Sequence, residues 1–214
     1  MPTQVAPPTD LYLGQARASS SIQHCMKIYE KWASTYNDEV ANEAQNYVAP
    51  VLAAQAALES STTAADGVIL DAGCGTGLVG QALALGGAKV IDGADLSPAM
   101  LKVARQTGVY RNLTQVDLTR RMATEDNTYD IVTCVGTFTL GHVGPDPALR
   151  EFIRITKSNG IVVATILEEI WQSGGFKDEV EKLEAEGIAT ILGMELIDYV
   201  KGHGDKAMLV TLRK

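Results

Sequence analysis

Positive charge is in short supply in this sequence. Across 214 residues, 18 Lys and Arg stand against 26 Asp and Glu, a formal net charge of −8, with a pI near 4.9. No run of Lys and Arg makes a local exception. Such a surface repels phosphate backbones and anionic lipid, so neither nucleic acid nor a membrane is expected as a partner. Long apolar runs are missing too: no stretch approaches the ~18 residues that a membrane span needs. A mean hydropathy of +0.03 with 46% hydrophobic residues describes an ordinary soluble chain. The amino terminus lacks a basic segment leading into an apolar core, so no secretory signal is expected and the cytoplasm is the expected compartment. Cysteine is scarce. Cys25, Cys74 and Cys134 are scattered, odd in number and without C-x-x-C spacing, which supports neither a disulfide framework nor a zinc site. Cys74 and Cys134 fall at the ends of predicted strands and read as small buried hydrophobes. No internal repeat or low-complexity tract is present.

What is present centres on Val68-Ile-Leu-Asp-Ala-Gly-Cys-Gly-Thr-Gly77. Val68 to Leu70 reads as a strand buried on both faces, closed by Asp71. Gly73, Gly75 and Gly77 follow at alternate positions, and Leu78 to Leu85 reads as a helix. Strand, glycine turn and helix let a ligand touch bare backbone at the carboxyl end of a parallel strand. A nucleotide-type cofactor is the first expectation. A dinucleotide fingerprint requires Gly-x-Gly-x-x-Gly, and Leu78 occupies the position of its last glycine. An acid at the strand end also serves a pyrophosphate badly. The Asp71 carboxylate suits a positively charged ligand, or a clamp on the amides of the turn.

On these residues the chain resembles the class I S-adenosylmethionine-dependent methyltransferases, whose first motif is hydrophobic-Asp/Glu-x-Gly-x-Gly-x-Gly. The resemblance implies a Rossmann-like α/β fold: a seven-stranded, mostly parallel sheet with the last strand antiparallel and helices on both faces. It implies S-adenosyl-L-methionine as cofactor and S-adenosyl-L-homocysteine as product. Cofactor contacts are then expected from Asp71, Gly73, Cys74, Gly75 and Gly77. Lys89 to Ala94 is a second predicted strand, and Ser97-Pro98 opens the next helix. Asp95 stands at that strand's end, where an acid accepts hydrogen bonds from both ribose hydroxyls; a helix-cap carboxylate is the plainer alternative. Val90 to Leu101 is similar to the family's Val-x-Gly-x-Asp-x-Ser-x-x-Met-Leu, with Leu96 and Met100 then beside the adenine. Leu113 to Val116 is predicted as the third strand. The resemblance gives Asp117 to the adenine amino group and the backbone at Leu118 to the ring edge, although Asp117 also reads as a solvating loop group.

Tyr129 to Val135 is the fourth predicted strand. Open parallel sheets bind ligands beyond the carboxyl ends of their strands, near the point where strand order reverses. Val135, Gly136, Phe138 and His142 are therefore expected near the reacting group. His142, one of three histidines, is a candidate general base, or a shielding imidazole in the same loop. Pro147 to Ile155 reads as a helix, Lys157 to Gly160 as a turn, and Ile161 to Ile166 as the fifth strand. Beyond it, Glu168, Glu169, Trp171 and Phe176 stand where class I enzymes build part of the acceptor pocket; Trp171, in a glycine-bearing loop, reads equally as a hydrophobic anchor. A charged helix follows from Lys177 to Glu186. Met194 to Val200 and Lys206 to Leu212 are the last strands, joined by a turn at Lys201 to Asp205, hence antiparallel.

Residues 1–21 read as a flexible arm and 22–214 as one methyltransferase domain, with 22–60 its helical amino-terminal lid. Tyr29-Glu-Lys-Trp-Ala-Ser-Thr-Tyr36 resembles an aromatic segment that precedes the core in many small methyltransferases and lies across the cofactor. Tyr36 is then a cofactor contact, while Tyr29 and Trp32 are acceptor contacts or helix-packing aromatics. Ala41 to Leu58 is a second helical stretch in which Pro50 marks a break or a new first turn. The resemblance runs from Tyr29 to the end and is nearest to small methyltransferases of the Williams–Beuren-region type, whose tails carry a Trp like Trp171 and a Tyr like Tyr199. The expected function is methyl transfer to a small-molecule O, N or S acceptor. Two alternatives stay open: a related enzyme of non-methylating chemistry, such as cyclisation or dehydration, and a non-catalytic cofactor-binding module.

Overall fold

The computed structural model describes residues 47–63, 66–139, 143–202 and 204–214. The expected arm, most of the expected lid with Tyr29, Trp32 and Tyr36, and His142 lie outside the described residues. In chain order the elements are α1 (Ala49–Ser60), β1 (Val68–Ala72), α2 (Leu78–Leu85), β2 (Val90–Asp95), α3 (Pro98–Gln106), β3 (Tyr110–Gln115) and β4 (Tyr129–Phe138). They continue with α4 (Ala148–Ile155), β5 (Thr156–Leu167), α5 (Glu168–Trp171), α6 (Phe176–Ala185), β6 (Thr190–Asp198) and β7 (Lys206–Arg213).

The seven strands form one sheet in the order β3-β2-β1-β4-β5-β7-β6. The pairs from β3 to β5 are parallel, whereas β7 runs antiparallel to both β5 and β6. This is the Rossmann-like arrangement the resemblance implies, with β7 as the reversed strand. Strand order reverses between β1 and β4, and a cleft opens there at the carboxyl ends. The apolar runs explain the central position of these strands. Ile131, Val132, Cys134 and Val135 of β4 are buried, as are Ile161 to Ala164 of β5, the continuous pattern of a strand covered on both faces.

Helix α1 starts with Pro50 in its first turn, where a missing N–H costs nothing, so Pro50 opens a helix and does not break one. Its buried Ala49, Ala53 and Ala57 let the helix lie close over α2, β4 and β5. An antiparallel bridge from Tyr47 to Val200, with Val48 N–H donating to the Tyr199 carbonyl at 3.3 Å, joins the start of α1 to the β6–β7 connection. Against β5, α4 buries Leu149, Phe152, Ile153 and Ile155. Its Arg154 bridges Glu151 (2.7 Å) and Asp126 (2.6 Å) and donates to the carbonyls of Met122 and Thr124. Glu151 accepts the Met122 N–H at 2.8 Å. Together these bonds fix the long connection from β3 to β4, which carries part of the cleft wall.

Several boundaries differ from the sequence expectation. Residues 157–160 are not a separate turn, because β5 already begins at Thr156, paired with Tyr129. Asn159 does adopt a turn-like φ of 64°. Its N–H nevertheless donates to the Lys214 carbonyl, and Lys214 N–H to Gly160, so ladder bonds with the chain end hold the segment as strand. Strand β3 starts at Tyr110, three residues early, and β6 spans Thr190–Asp198 in place of Met194 to Val200. Phe176 opens α6 and is buried, not part of an acceptor loop. No helix among the described residues is long and apolar enough to cross a membrane.

Candidate functional site

A cavity of about 140 Å³ opens at the switch point. Its wall begins with the glycine turn, where Gly73, Cys74 and Gly75 meet the cavity. Gly73 has φ +73°, and a methyl group there would stand 2.0 Å from Thr137 Oγ1, so the turn can lie against β4 only without a side chain. Gly75 has φ +52° and nothing within 4 Å of the position a Cβ would take. Gly75 also lines the cavity, so its bare backbone borders that space. Both conformations favour glycine strongly.

Hydrogen bonds tie the turn to the end of β2. Gly73 and Cys74 N–H both donate to the Ala94 carbonyl (2.7 and 2.9 Å), Gly77 N–H to the Cys74 carbonyl (2.9 Å), and Gly75 N–H to Asp95 Oδ2 (2.9 Å). These four amides are spent inside the protein, so the turn is not the N–H cradle that a phosphate requires. Asp95 Oδ1 accepts the Ser97 N–H at 2.8 Å. Capping of α3 falls to Ser97, whose hydroxyl accepts from Met100 N–H at 3.3 Å. Asp95 is therefore not the cap residue. Each of its oxygens takes one backbone donor and has a lone-pair direction left for a ligand. Burial pushes its carboxyl above the usual range, and the Ser97 and Gly75 amides counter that shift.

Leu96, Ser97 and Met100 continue the wall along α3, followed by Val116 to Thr119 after β3. The Asp117 carboxylate is occupied by its own loop. Oδ1 accepts Thr119 N–H and Oγ1 (3.0 and 2.6 Å), and Oδ2 pairs with Arg120 at 3.2 Å. The Thr119 hydroxyl bond, with Arg120 adding to it, holds this carboxyl below the usual range. Val135, Gly136, Thr137 and Thr139 close the β4 side. Gly136 (φ +77°) leaves room for two phenols: a Cβ there would be 2.7 Å from the Tyr47 hydroxyl and 3.2 Å from that of Tyr199. Those hydroxyls are 3.0 Å apart, and Tyr47 faces the cavity.

The structure thus brings Gly73, Cys74, Gly75, Asp95, Leu96, Met100, Asp117, Leu118, Val135 and Gly136 to one wall. Others from the sequence reading stand elsewhere. Asp71 is 0% exposed beneath the turn. Gly77 lies behind it, against Thr107 and Tyr110. Phe138 is not an acceptor contact but core, 1% exposed with its ring 4.9 Å from Phe176 and 6.1 Å from Phe152. Trp171 is likewise buried, and Glu168 and Glu169 are exposed at the start of α5. Tyr199 is buried behind Tyr47. Cys74 is buried in the wall, and burial together with the neighbouring Asp71 and Asp95 pushes its thiol far up, so it is no nucleophile. The sequence reading missed Tyr47, Ser97, Thr119, Thr137 and Thr139. Only Ser97 and Thr119 carried a local signal, as polar residues two positions after strand-end acids.

Comparison with known proteins agrees with this geometry. Residues 70–164 match the methyltransferase domain family. The chain is 35% identical over 146 residues to methyltransferase-like protein 27 of Homo sapiens, covering 65% of this chain and 56% of that one. These matches support a class I S-adenosylmethionine-dependent methyltransferase. The chain is also 40% identical over 103 residues to the ubiquinone biosynthesis O-methyltransferase of Pseudomonas savastanoi pv. phaseolicola, covering 44% of this chain and 41% of that one. The chain spans about half the length of these curated relatives. Among solved structures, the [4+2]-cyclase SpnF superposes with a TM-score of 0.69 at 20% identity, covering 90% of this chain and 95% of that one. An S-adenosylmethionine-dependent methyltransferase from Mesorhizobium loti superposes at 0.57 and 16%, covering 76% and 96%. At these identities the structural likeness shows the class I methyltransferase fold alone.

Proposed function

We propose that this chain binds S-adenosyl-L-methionine in the cavity at the switch point and transfers its methyl group to a small-molecule O, N or S acceptor, leaving S-adenosyl-L-homocysteine. One observation carries the reading: the glycine turn spends the amides of Gly73, Cys74, Gly75 and Gly77 internally and meets the cavity beside the carboxylate of Asp95. A turn whose Gly73, Cys74, Gly75 and Gly77 amides are already bonded, with a buried acid at Asp71 and a half-buried one at Asp95, disfavours a pyrophosphate and favours a cationic nucleoside. The open space at Gly75 is the cradle such a ligand fits.

Once bound, the cofactor supplies an electrophilic methyl carbon together with its own neutral thioether leaving group. The remaining work is positioning and exclusion of water. Asp95 accepts from hydroxyls of the ligand and holds it to the β2 end. Leu96, Met100 and Leu118 offer an apolar slot for a base. Thr137, Thr139 and Tyr47 bring hydroxyls to the side of the cavity nearest β4, where an acceptor would be oriented. Cytoplasmic action on a small acceptor accords with the acidic surface.

The test is turnover. Incubation with S-adenosyl-L-methionine and small O-, N- and S-nucleophiles should give acceptor-dependent S-adenosyl-L-homocysteine, one equivalent per methylated product. Acceptor conversion with no S-adenosyl-L-homocysteine formed would overturn methyl transfer in favour of non-methylating chemistry.

A further inference from the structure

The acid that ends β1 does not line the cavity. Asp71 Oδ2 accepts the Tyr110 hydroxyl at 2.7 Å, and Oδ1, also buried, has no hydrogen-bond partner. Burial pushes this carboxyl up to about 7, and the Tyr110 hydroxyl is the chief group opposing that shift. Tyr110 opens β3, two strands from β1, so its side chain must cross β2. It crosses at Gly93, where a Cβ would come within 3.0 Å of its ring. A glycine inside a strand otherwise weakens it, and here it makes way for the phenol. At the far end, a Cβ at Gly80 would stand 2.3 Å from the phenolic oxygen, and one at Gly77 3.1 Å from the ring. Glycines of β2, the turn and α2 all leave space for one side chain.

We propose that Tyr110 is a positioning residue: by bonding Asp71 and packing against Gly77 and Gly80, it holds the 73–77 turn in the conformation that faces the cavity. Its consequence for ligand affinity rests on the cofactor reading above; its hold on the turn does not. Tyr110 itself does not line the cavity, so its influence passes through Asp71 at one end of the turn, the start of α2 at the other, and the cluster of Cys74 against which it packs. Removing the hydroxyl takes from fully buried Asp71 its 2.7 Å bond and leaves it the lesser contributions of the Gly80 amide and the Thr133 hydroxyl, so the end of β1 must relax to compensate.

Tyr129 supplies the control. Its hydroxyl meets another buried acid of the same sheet, Asp92, at 3.4 Å, away from the cavity. Tyr110→Phe and Tyr129→Phe each keep the ring and lose one Tyr–Asp bond. Backbone amide exchange in the ligand-free protein and titration with S-adenosyl-L-homocysteine are measured on both. Tyr110→Phe should exchange the 73–77 amides about tenfold faster, with β4 and β5 unchanged, and should bind about tenfold more weakly. Tyr129→Phe should do neither. Wild-type exchange at 73–77 in Tyr110→Phe, or equal effects in both variants, would overturn the proposal. Faster exchange in a protein whose wild type binds neither S-adenosyl-L-methionine nor S-adenosyl-L-homocysteine would uphold the positioning role and refute the cofactor reading. Should Tyr110→Phe not fold, Asp71→Leu removes the acceptor without stranding a charge. It should loosen the same amides, and wild-type rates there would overturn the proposal.

Discussion

Asp95→Ala removes a side chain that both braces the turn and faces the cavity. Its carboxylate accepts the Gly75 and Ser97 amides at 2.9 and 2.8 Å. A hydrogen bond to a charged group contributes about 1.5–3 kcal/mol. The two amides are lost from the brace, but water entering the enlarged cavity partly satisfies them. The ligand in turn loses its acceptor for hydroxyl groups. The net loss of binding is therefore about 1–3 kcal/mol, or roughly 5- to 150-fold in Kd. Asp117 is the comparison. Its oxygens are already committed to Thr119 and Arg120, and its side chain is 30% exposed, so water replaces what Asp117→Ala removes. The expected loss there is below about 1 kcal/mol. Calorimetric titration with S-adenosyl-L-homocysteine, on variants shown to be folded by circular dichroism, measures both. Wild-type affinity in Asp95→Ala, or a larger loss in Asp117→Ala, would refute the reasoning.

Other expectations separate folding from binding. Gly75→Ala puts a methyl group into open cavity at φ +52°. It should lower stability by only about 1–2 kcal/mol while weakening cofactor binding more than tenfold; thermal melts and titration check the pair. Gly73→Ala drives a methyl group to 2.0 Å from Thr137 Oγ1 and should cost far more stability, visible as a larger drop in Tm. Asp71 bears on pH. A carboxyl raised from 3.8 to about 7 keeps its proton longer folded than unfolded, so its contribution to stability falls as pH rises through that window. Asp71→Asn escapes this loss. The stability of the variant minus that of wild type should climb from pH 5 to 7.5, by at most about 1.4 kcal/mol per pH unit, and parallel melting curves would contradict the sign. Phe138→Ala should lower stability by about 3–5 kcal/mol, as judged by urea unfolding, and leave cofactor affinity alone.

The sheet was legible because its central strands are uninterrupted apolar runs and its turns carry glycine. The β1–turn–α2 unit and the acid after β2 follow from residues adjacent in sequence. Phe138 was misplaced because Gly136 reads as a strand end. In the structure the chain takes φ +77° there and β4 still continues to Phe138, returning the ring to the core. Tyr47 reaches the cavity through a bridge to Val200, a pairing 153 residues apart that no local pattern encodes. The Asp71–Tyr110 bond, 39 residues apart, is equally silent in sequence, so the acid of the glycine motif reads as a ligand contact when its partner is a phenol behind the turn. Trp171 in a glycine-bearing segment suggested a pocket, but α5 turns it inward.

The most direct measurement is calorimetric titration of the protein with S-adenosyl-L-methionine and S-adenosyl-L-homocysteine, with NAD alongside. Saturable binding of the first two at micromolar concentration and none of NAD is the expected result. Binding of NAD, or of neither adenosyl compound, would contradict a cavity built for a cationic nucleoside.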